Sequence, residues 1–191
     1  MHKYIKAVAK FTAGIALAAV LVGWYFADNI RGYYRFKELC RTDGGLKVIN
    51  SLRKNVGWLA QSKDGGLIVA SFKDVAFVRI PDASGRLFDY RYISGRIEEE
   101  SSYDKVPANE AASVIYEVHR VDEPLLDEVR TNRSGYEIRE ISTKHLMVRW
   151  YQIGFRTFNQ DKTLFAAPSG QACYSWDGFF VSENQAKFFS N

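Results

Sequence analysis

The sequence predicts an α+β fold in which an N-terminal transmembrane helix and a helical stalk precede one mostly antiparallel β-sheet domain. Residues 11–27 form an uncharged apolar run, and residues 28–41 keep apolar side chains at the spacing of a helix face. After Gly44 and Gly45 the pattern changes to short β-rich segments separated by turn residues. We therefore divide the chain into a basic N-terminus (1–10), a membrane anchor (11–27), a stalk (28–43) and a domain (44–191).

The composition indicates a folded chain without a nucleic-acid partner. Of the 191 residues, 47% are hydrophobic and 15% are aromatic, which is enough to build a core. The net charge of +4 falls to +1 when Lys3, Lys6 and Lys10, which precede the apolar run, are set aside. The remaining charges are interspersed in sign, so the domain lacks the basic stripe that phosphate binding requires.

The apolar run is 17 residues long. As a helix it spans about 25 Å, slightly less than the ~30 Å hydrocarbon core of a bilayer. Apolar residues before Lys10 lengthen the span, and Trp24 begins an aromatic cluster at its far end. A cleaved signal peptide and a buried helix of a soluble protein are the alternatives. Cleavage after Ala27 would place bulky Tyr25 where signal peptidase requires a small residue, so an uncleaved anchor is favoured.

Both cysteines, Cys40 and Cys173, follow the apolar run. This arrangement is typical of an exported domain with one disulfide, which would join the start of the domain to its end. Two unpaired thiols in a cytoplasmic domain are the alternative. Together with the lysines before the run, the cysteines favour a single-pass membrane protein with its N-terminus inside and its C-terminal domain exported.

The elements of the predicted domain follow from local patterns. The stalk continues the helix, and Gly44 with Gly45 ends it by permitting a left-handed cap. Turns are predicted at residues 63–66 and 81–85, and the C-terminal residues 159–191 are loop-like. The predicted strands are residues 46–52, 66–72, 75–80, 87–94, 113–121, 136–142 and 145–155.

No catalytic, metal-binding or cofactor-binding motif stands out in the sequence. His119 and His145 lie in predicted strands without a cysteine or carboxylate at ligand spacing, and neither cysteine belongs to a C-x-x-C pair. We therefore expect no metal site, no cofactor and no catalytic residue, which favours a non-enzymatic protein. The alternatives are an enzyme acting on envelope glycan or lipid through carboxylates such as Glu98–Glu100 or Asp177, and a binding module for a small ligand or a lipoprotein.

Aromatic residues interleaved with arginine form the candidate interaction surface. Such side chains are enriched at the energetic centres of protein interfaces. Because side chains alternate along a strand, burial of some of these rings in the core is the competing interpretation. The set consists of Trp150, Tyr151, Phe155, Arg156, Trp176 and Phe179.

The segment around Cys40 also carries a family resemblance, through Leu39, Cys40, Asp43, Gly44, Gly45, Leu46 and Val48. The chain resembles a group of uncharacterised bacterial membrane-anchored envelope proteins, which share an N-terminal hydrophobic helix, a cysteine followed by an acidic-Gly-Gly segment, and a second cysteine near the C-terminus. The resemblance implies a bacterial envelope protein, single-pass in the inner (cytoplasmic) membrane with its C-terminal domain in the periplasm, and supplies no activity. We therefore expect a membrane-anchored interaction or accessory protein of the envelope, with a protein partner.

Overall fold

The computed structural model describes residues 2–97, 99–126, 128, 130–156, 170–174 and 182–189. Its first element is helix α1 (His2–Thr42), which bends by 46° between an N-terminal arm (Lys10–Trp24) and a C-terminal arm (Phe26–Thr42). No straight helix in the described chain is both long and apolar enough to cross a membrane; the two arms meet that requirement only together. The predicted transmembrane helix is thus a bent, apolar candidate for an anchor or a signal.

The described residues after α1 form a nine-stranded mixed sheet, which confirms the α+β class and the mostly antiparallel pairing. The strand order is β1-β8-β7-β6-β2-β3-β4-β5, and β9 also pairs with β8. Only β2 runs parallel to its neighbours, β3 and β6, among the described strands. The strands are β1 (Gly45–Val48), β2 (Val56–Ala60), β3 (Val75–Pro81), β4 (Leu87–Tyr92), β5 (Tyr103–Pro107), β6 (Val114–Pro124), β7 (Thr131–Glu140), β8 (Leu146–Phe155) and β9 (Gln171–Cys173).

Helix α2 (Lys63–Ala70) shows that two predictions were wrong: a strand at residues 66–72 and a turn at residues 63–66. A short apolar run flanked by turn residues has no periodicity that separates a strand from a helix. The parallel pairing of β2 with β3 requires a crossover connection, and α2 provides it. Leu67, Val69 and Ala70 are buried because they pack this helix against the sheet.

The main core lies between one face of the sheet and the helices α2 and α3 (Ser182–Phe188). Trp58 of β2 packs edge-to-face against Phe72 and Tyr116, with ring centroids 6.3 and 5.8 Å apart. Phe188 lies 5.9 Å from Phe72, so the end of the chain closes this core. Helix α3 and strand β9 therefore give structure to a region that the sequence pattern indicated as loop-like.

The other predicted strands agree with β3, β4, β6, β7 and β8 to within a few residues, and β1 ends earlier than predicted. Strands β2 and β5 were not predicted. The turn predicted at residues 81–85 is confirmed between β3 and β4. There Asp82 Oδ1 accepts hydrogen bonds from the main-chain N–H groups of Ser84 and Arg86 at 2.8 and 2.9 Å.

Candidate functional site: the α1 junction and the charged face

The C-terminal arm of α1 lies against the second face of the sheet, opposite the main core. Phe36 and Leu39 are buried there with Tyr151, Ile153 and Phe155 of β8. The rings of Phe36 and Phe155 stack with centroids 5.8 Å apart. The helix segment predicted as a stalk therefore packs against the domain along its last turns.

Polar contacts extend this packing toward the bend in α1. Arg35 Nε donates to Glu128 Oε1 at 2.6 Å, in the connection between β6 and β7. Arg130 Nη2 donates to Asn29 Oδ1, also at 2.6 Å. The helix is thus held to the domain from Asn29 onward, three residues after the start of the C-terminal arm.

A disulfide between Cys40 and Cys173 closes the junction, as the sequence predicted. Cys40 belongs to α1, and Cys173 is the last residue of β9. Both β1 and β9 pair with the same edge of β8, β9 with Ile153–Phe155 and β1 with the residues before them. The bond therefore fastens the helix to the strand nearest the C-terminus. Its sequence separation is 133 residues.

Gly44 and Gly45 make the sharp turn from α1 into β1 beneath the ring of Tyr174. Gly45 has φ +76°, the left-handed conformation that favours glycine. It is the first residue of β1 and lies three residues beyond the end of α1, so the glycine serves the turn and not a left-handed cap of the helix. A Cβ on Gly44 would lie 2.8 Å from ring carbons of Tyr174, which leaves no room for a side chain. Tyr174 also meets Trp150 edge-to-face at 6.3 Å, so the residue after the disulfide covers the turn.

Beside the junction, β6, β7 and β8 carry alternating acidic and basic side chains on the second face. We call this set the charged face. Neighbours across the strands have complementary charge: Glu117 lies opposite Arg139, and Glu137 lies opposite Arg149. Opposite charges in directly facing positions stabilise a sheet. The charged face consists of Glu117, His119, Arg133, Glu137, Arg139 and Arg149.

Glu137 is the most connected member of the charged face. The Tyr151 hydroxyl donates to its Oε1, and Arg139 Nη2 and Nε donate to its Oε2 at 2.6 and 2.9 Å. Burial alone would raise the pKa of Glu137, but these hydrogen bonds and the arginine charges outweigh burial and lower it. Burial and the bond to Glu137 raise the pKa of Tyr151 to about 12. The carboxylate is therefore ionised and the phenol neutral at physiological pH.

Glu117, the second carboxylate of the charged face, is also surrounded by basic and hydrogen-bond-donating side chains. His119 Nε2 lies 3.0 Å from Glu117 Oε2, Lys144 Nζ lies 3.5 Å away, and Gln61 donates to the other oxygen at 3.1 Å. Burial opposes the ionised form, yet the interactions with His119, Gln61 and Lys144 leave the pKa of Glu117 lowered. Outside the charged face, hydrogen bonds from two lysines lower the pKa of Glu100 to about 2.

The four described carboxylates with shifted pKa values do not have the property expected of a general acid. A general acid in a paired-carboxylate enzyme needs a raised pKa. Each described carboxylate whose pKa departs from its ordinary value has a lowered one. Among the described side chains, no group of three or more His, Cys, Asp and Glu residues is arranged to hold a metal ion. The arrangement is suited to presenting fixed charges.

The structure separates the residues predicted as an interaction surface. Trp150 is buried in the main core, whereas Tyr151 and Phe155 are buried at the α1 junction. Arg156 is exposed at the end of β8. Trp176 and Phe179 lie outside the described residues, so the surface as a whole stays a prediction.

The charged face was not predicted, although the alternation in residues 136–142 placed polar side chains on one face of a strand. Its signal is nonlocal, because Glu137 meets Arg149 only when β7 pairs with β8. Gly135 allows the main chains of β7 and β8 to approach closely at this pairing. A Cβ there would lie 1.9 Å from the main-chain oxygen of Trp150.

A small cleft opens where β2 ends and α2 begins. Its volume is about 180 Å³, and its lining includes Gln61, Ser62, Asp64, Arg120 and Tyr136. Pockets for drug-sized ligands usually have volumes of about 300–1,000 Å³ and mainly apolar walls. This cleft therefore gives little support to the alternative of a binding module with an apolar pocket.

No protein-family model, curated protein or solved structure matches this chain. Its function is therefore inferred from its own sequence and geometry.

Proposed function

We propose that the protein is a non-enzymatic interaction or accessory protein of the bacterial envelope, anchored by the N-terminal arm of α1. The observation that carries the proposal is the exposure of that arm. Leu17, Val20 and Trp24 are 62, 66 and 79% exposed, although the arm is apolar along its length. An exposed apolar surface of this extent marks a membrane or protein contact. A bilayer would cover the arm on every side.

The disulfide supports an extracytoplasmic domain, because such bonds persist mainly in oxidising compartments. The three lysines before the apolar run and the resemblance around Cys40 agree with this placement. The proposed topology is a single pass through the inner membrane, with the N-terminus in the cytoplasm and the sheet domain in the periplasm.

The charged face is the proposed contact for a protein partner. Its side chains are held in place by one another, so a partner would meet pre-arranged charges rather than mobile ones. Arg149 also pairs with Asp43 at 3.1 Å, which couples this surface to the α1 junction. The domain would thus present the charged face at a fixed position relative to the membrane.

Anchoring and topology are tested together with a membrane-impermeant maleimide on spheroplasts and carbonate-washed membranes. We expect the protein to stay in the washed membranes and to be labelled only after reduction, because both thiols are bonded. Release by carbonate would exclude the anchor. Labelling without reductant would exclude the disulfide. If the thiols of reduced, intact spheroplasts stay unlabelled and react only after lysis and denaturation, the periplasmic placement is excluded.

The partner contact is tested by photocrosslinking in cells. A photoreactive residue replaces Lys144, whose side chain is 67% exposed beside Glu117, and a control replaces Leu87 on β4. We expect a reproducible crosslinked protein at position 144 and none at position 87. Equal patterns at the two positions, or no crosslink in repeated experiments, would refute the assignment of the charged face.

A further inference from the structure

The hairpin of β6 and β7 extends beyond the end of β2, and we call this extension the projection. Pairing of β2 with β6 ends at Ala60 and Val118, whereas β6 continues to Pro124 opposite Asn132. Six further residues of β-strand correspond to about 20 Å. β8 accompanies β7 as far as Thr131, and β9 pairs with Ile153–Phe155 of β8, so this end of the sheet contains β9 as well as β6, β7 and β8.

The projection lies at the end of the sheet from which α1 departs. Phe36 of α1 stacks on Phe155, which pairs with Thr131 at the start of β7. Farther toward the bend, Asn29 accepts the hydrogen bond from Arg130. Asn29 comes two residues after the uncharged run of residues 11–27, so it lies about 3 Å along the helix axis from the end of that run.

The connection between β6 and β7 directs one leucine inward and one outward. Leu125 packs into the core at the α1 junction. Leu126 is 92% exposed, the largest fraction among the large hydrophobic side chains described. A single exposed leucine needs no explanation by itself. Here, however, Arg35 and Glu128 also bind the same connection to the helix near its apolar run.

A groove lies at the bend of α1, close to the contacts between α1 and the projection. This open groove of about 650 Å³ spans the bend and is lined by Val22, Phe26, Asn29 and Tyr33, among others. Asn29 and Tyr33 also contact the domain, so part of the groove's lining belongs to the α1 junction. With the N-terminal arm embedded in a bilayer, Asn29 and its partner Arg130 would lie close to the lipid surface.

We propose that Leu126 makes a second membrane contact by entering the interfacial region of a phospholipid bilayer. This inference rests on the proposed anchoring by α1. The lipid is the occupant favoured by position, because the connection is attached to α1 just beyond the apolar run. Anchor and connection together hold the domain at one inclination to the membrane, which a single helix would not fix.

The test uses the full chain reconstituted in vesicles of phosphatidylcholine and phosphatidylglycerol, with an environment-sensitive fluorophore attached to Leu126→Cys. The native cysteines are bonded to each other, so only the introduced thiol reacts. Ile93→Cys is the matched control, because Ile93 is also exposed, by 65%. Ile93 follows β4, which is antiparallel to β3, so it lies at the end of the sheet opposite to Leu126.

We expect a blue shift at position 126 and loss of about half the emission to a quencher carried by the lipid, as for groups ~5–10 Å into the interface. Position 93 should show neither effect. If the protein floats with the vesicles but both positions respond alike, the second contact is refuted and the anchor stands. If the protein does not float with the vesicles, the anchor and the inference fail together. A polar variant, Leu126→Asn, should still float but leave a fluorophore at Asp122→Cys, an exposed position on β6, less quenched; unchanged quenching there would also contradict the inference.

Discussion

Removal of the disulfide should destabilise the domain substantially. In the variant Cys40→Ala/Cys173→Ala, the unfolded chain regains the freedom of a loop closed across 133 residues. The chain-entropy relation gives about 5 kcal/mol for a loop of this length, and measured effects are commonly smaller. The stacking of Phe36 on Phe155 also remains in the variant. We therefore expect a loss of about 3 kcal/mol in the free energy of unfolding.

The assay is urea unfolding of the full chain in detergent micelles, followed by the fluorescence of the buried Trp58 and Trp150. With a urea dependence of about 2 kcal/mol per M, the midpoint should fall by about 1.5 M. Reductant should lower the midpoint of the wild type to that of the variant and leave the variant unchanged. Equal midpoints for the oxidised wild type and the variant would refute the stabilising role of the bond. So would an equal effect of reductant on both proteins.

Three further predictions concern the sheet and are measured by the same unfolding experiment. Gly135→Ala should lower the free energy of unfolding by about 3 kcal/mol or prevent folding, because its Cβ would meet a main-chain oxygen of β8. The control Gly14→Ala has open space around it and should not destabilise the protein. Arg79 donates to the buried Asp89 at 2.7 and 3.0 Å, so Arg79→Met should leave this carboxylate without its charge partner and lower the free energy of unfolding by about 3–5 kcal/mol. Arg79→Met/Asp89→Leu should recover most of that loss, and failure to recover it would contradict the pairing argument. The pKa of Glu100 in the folded protein is lowered to about 2, so its contribution to the free energy of unfolding is complete above its unfolded pKa and is lost as the pH falls from about 4.5 toward 2. Glu100→Gln should therefore make stability depend less on pH in this range, and an unchanged dependence would contradict this.

The elements that were predictable from sequence are those whose side chains alternate between two different environments. β6, β7 and β8 each place core residues on one face and charged or junction residues on the other, so their period of two is visible. β2 lies in the middle of the sheet between two parallel neighbours, and its five residues show no such contrast. The apolar residues of α2 are too few to show helical periodicity.

The candidate site was only partly predictable for a different reason. The pairing of Cys40 with Cys173 followed from the cysteine count, because one disulfide among two cysteines has a single solution. The charged face depends on register, which brings together residues such as Glu117 and Arg139 that are 22 positions apart in the chain. The apolar side of the C-terminal arm was visible in the sequence, but its contact with β8 was not.

The pairing of β1 with β8 has a consequence for the order in which the chain is made. Gly45 pairs with Tyr151, so the first strand emerges from the ribosome about 100 residues before its partner. At ~5–20 residues per second this is a delay of roughly 5–20 s. Cys40 waits longer still, until Cys173 appears. Because the chain contains only two cysteines, the waiting thiol has no incorrect partner within its own chain.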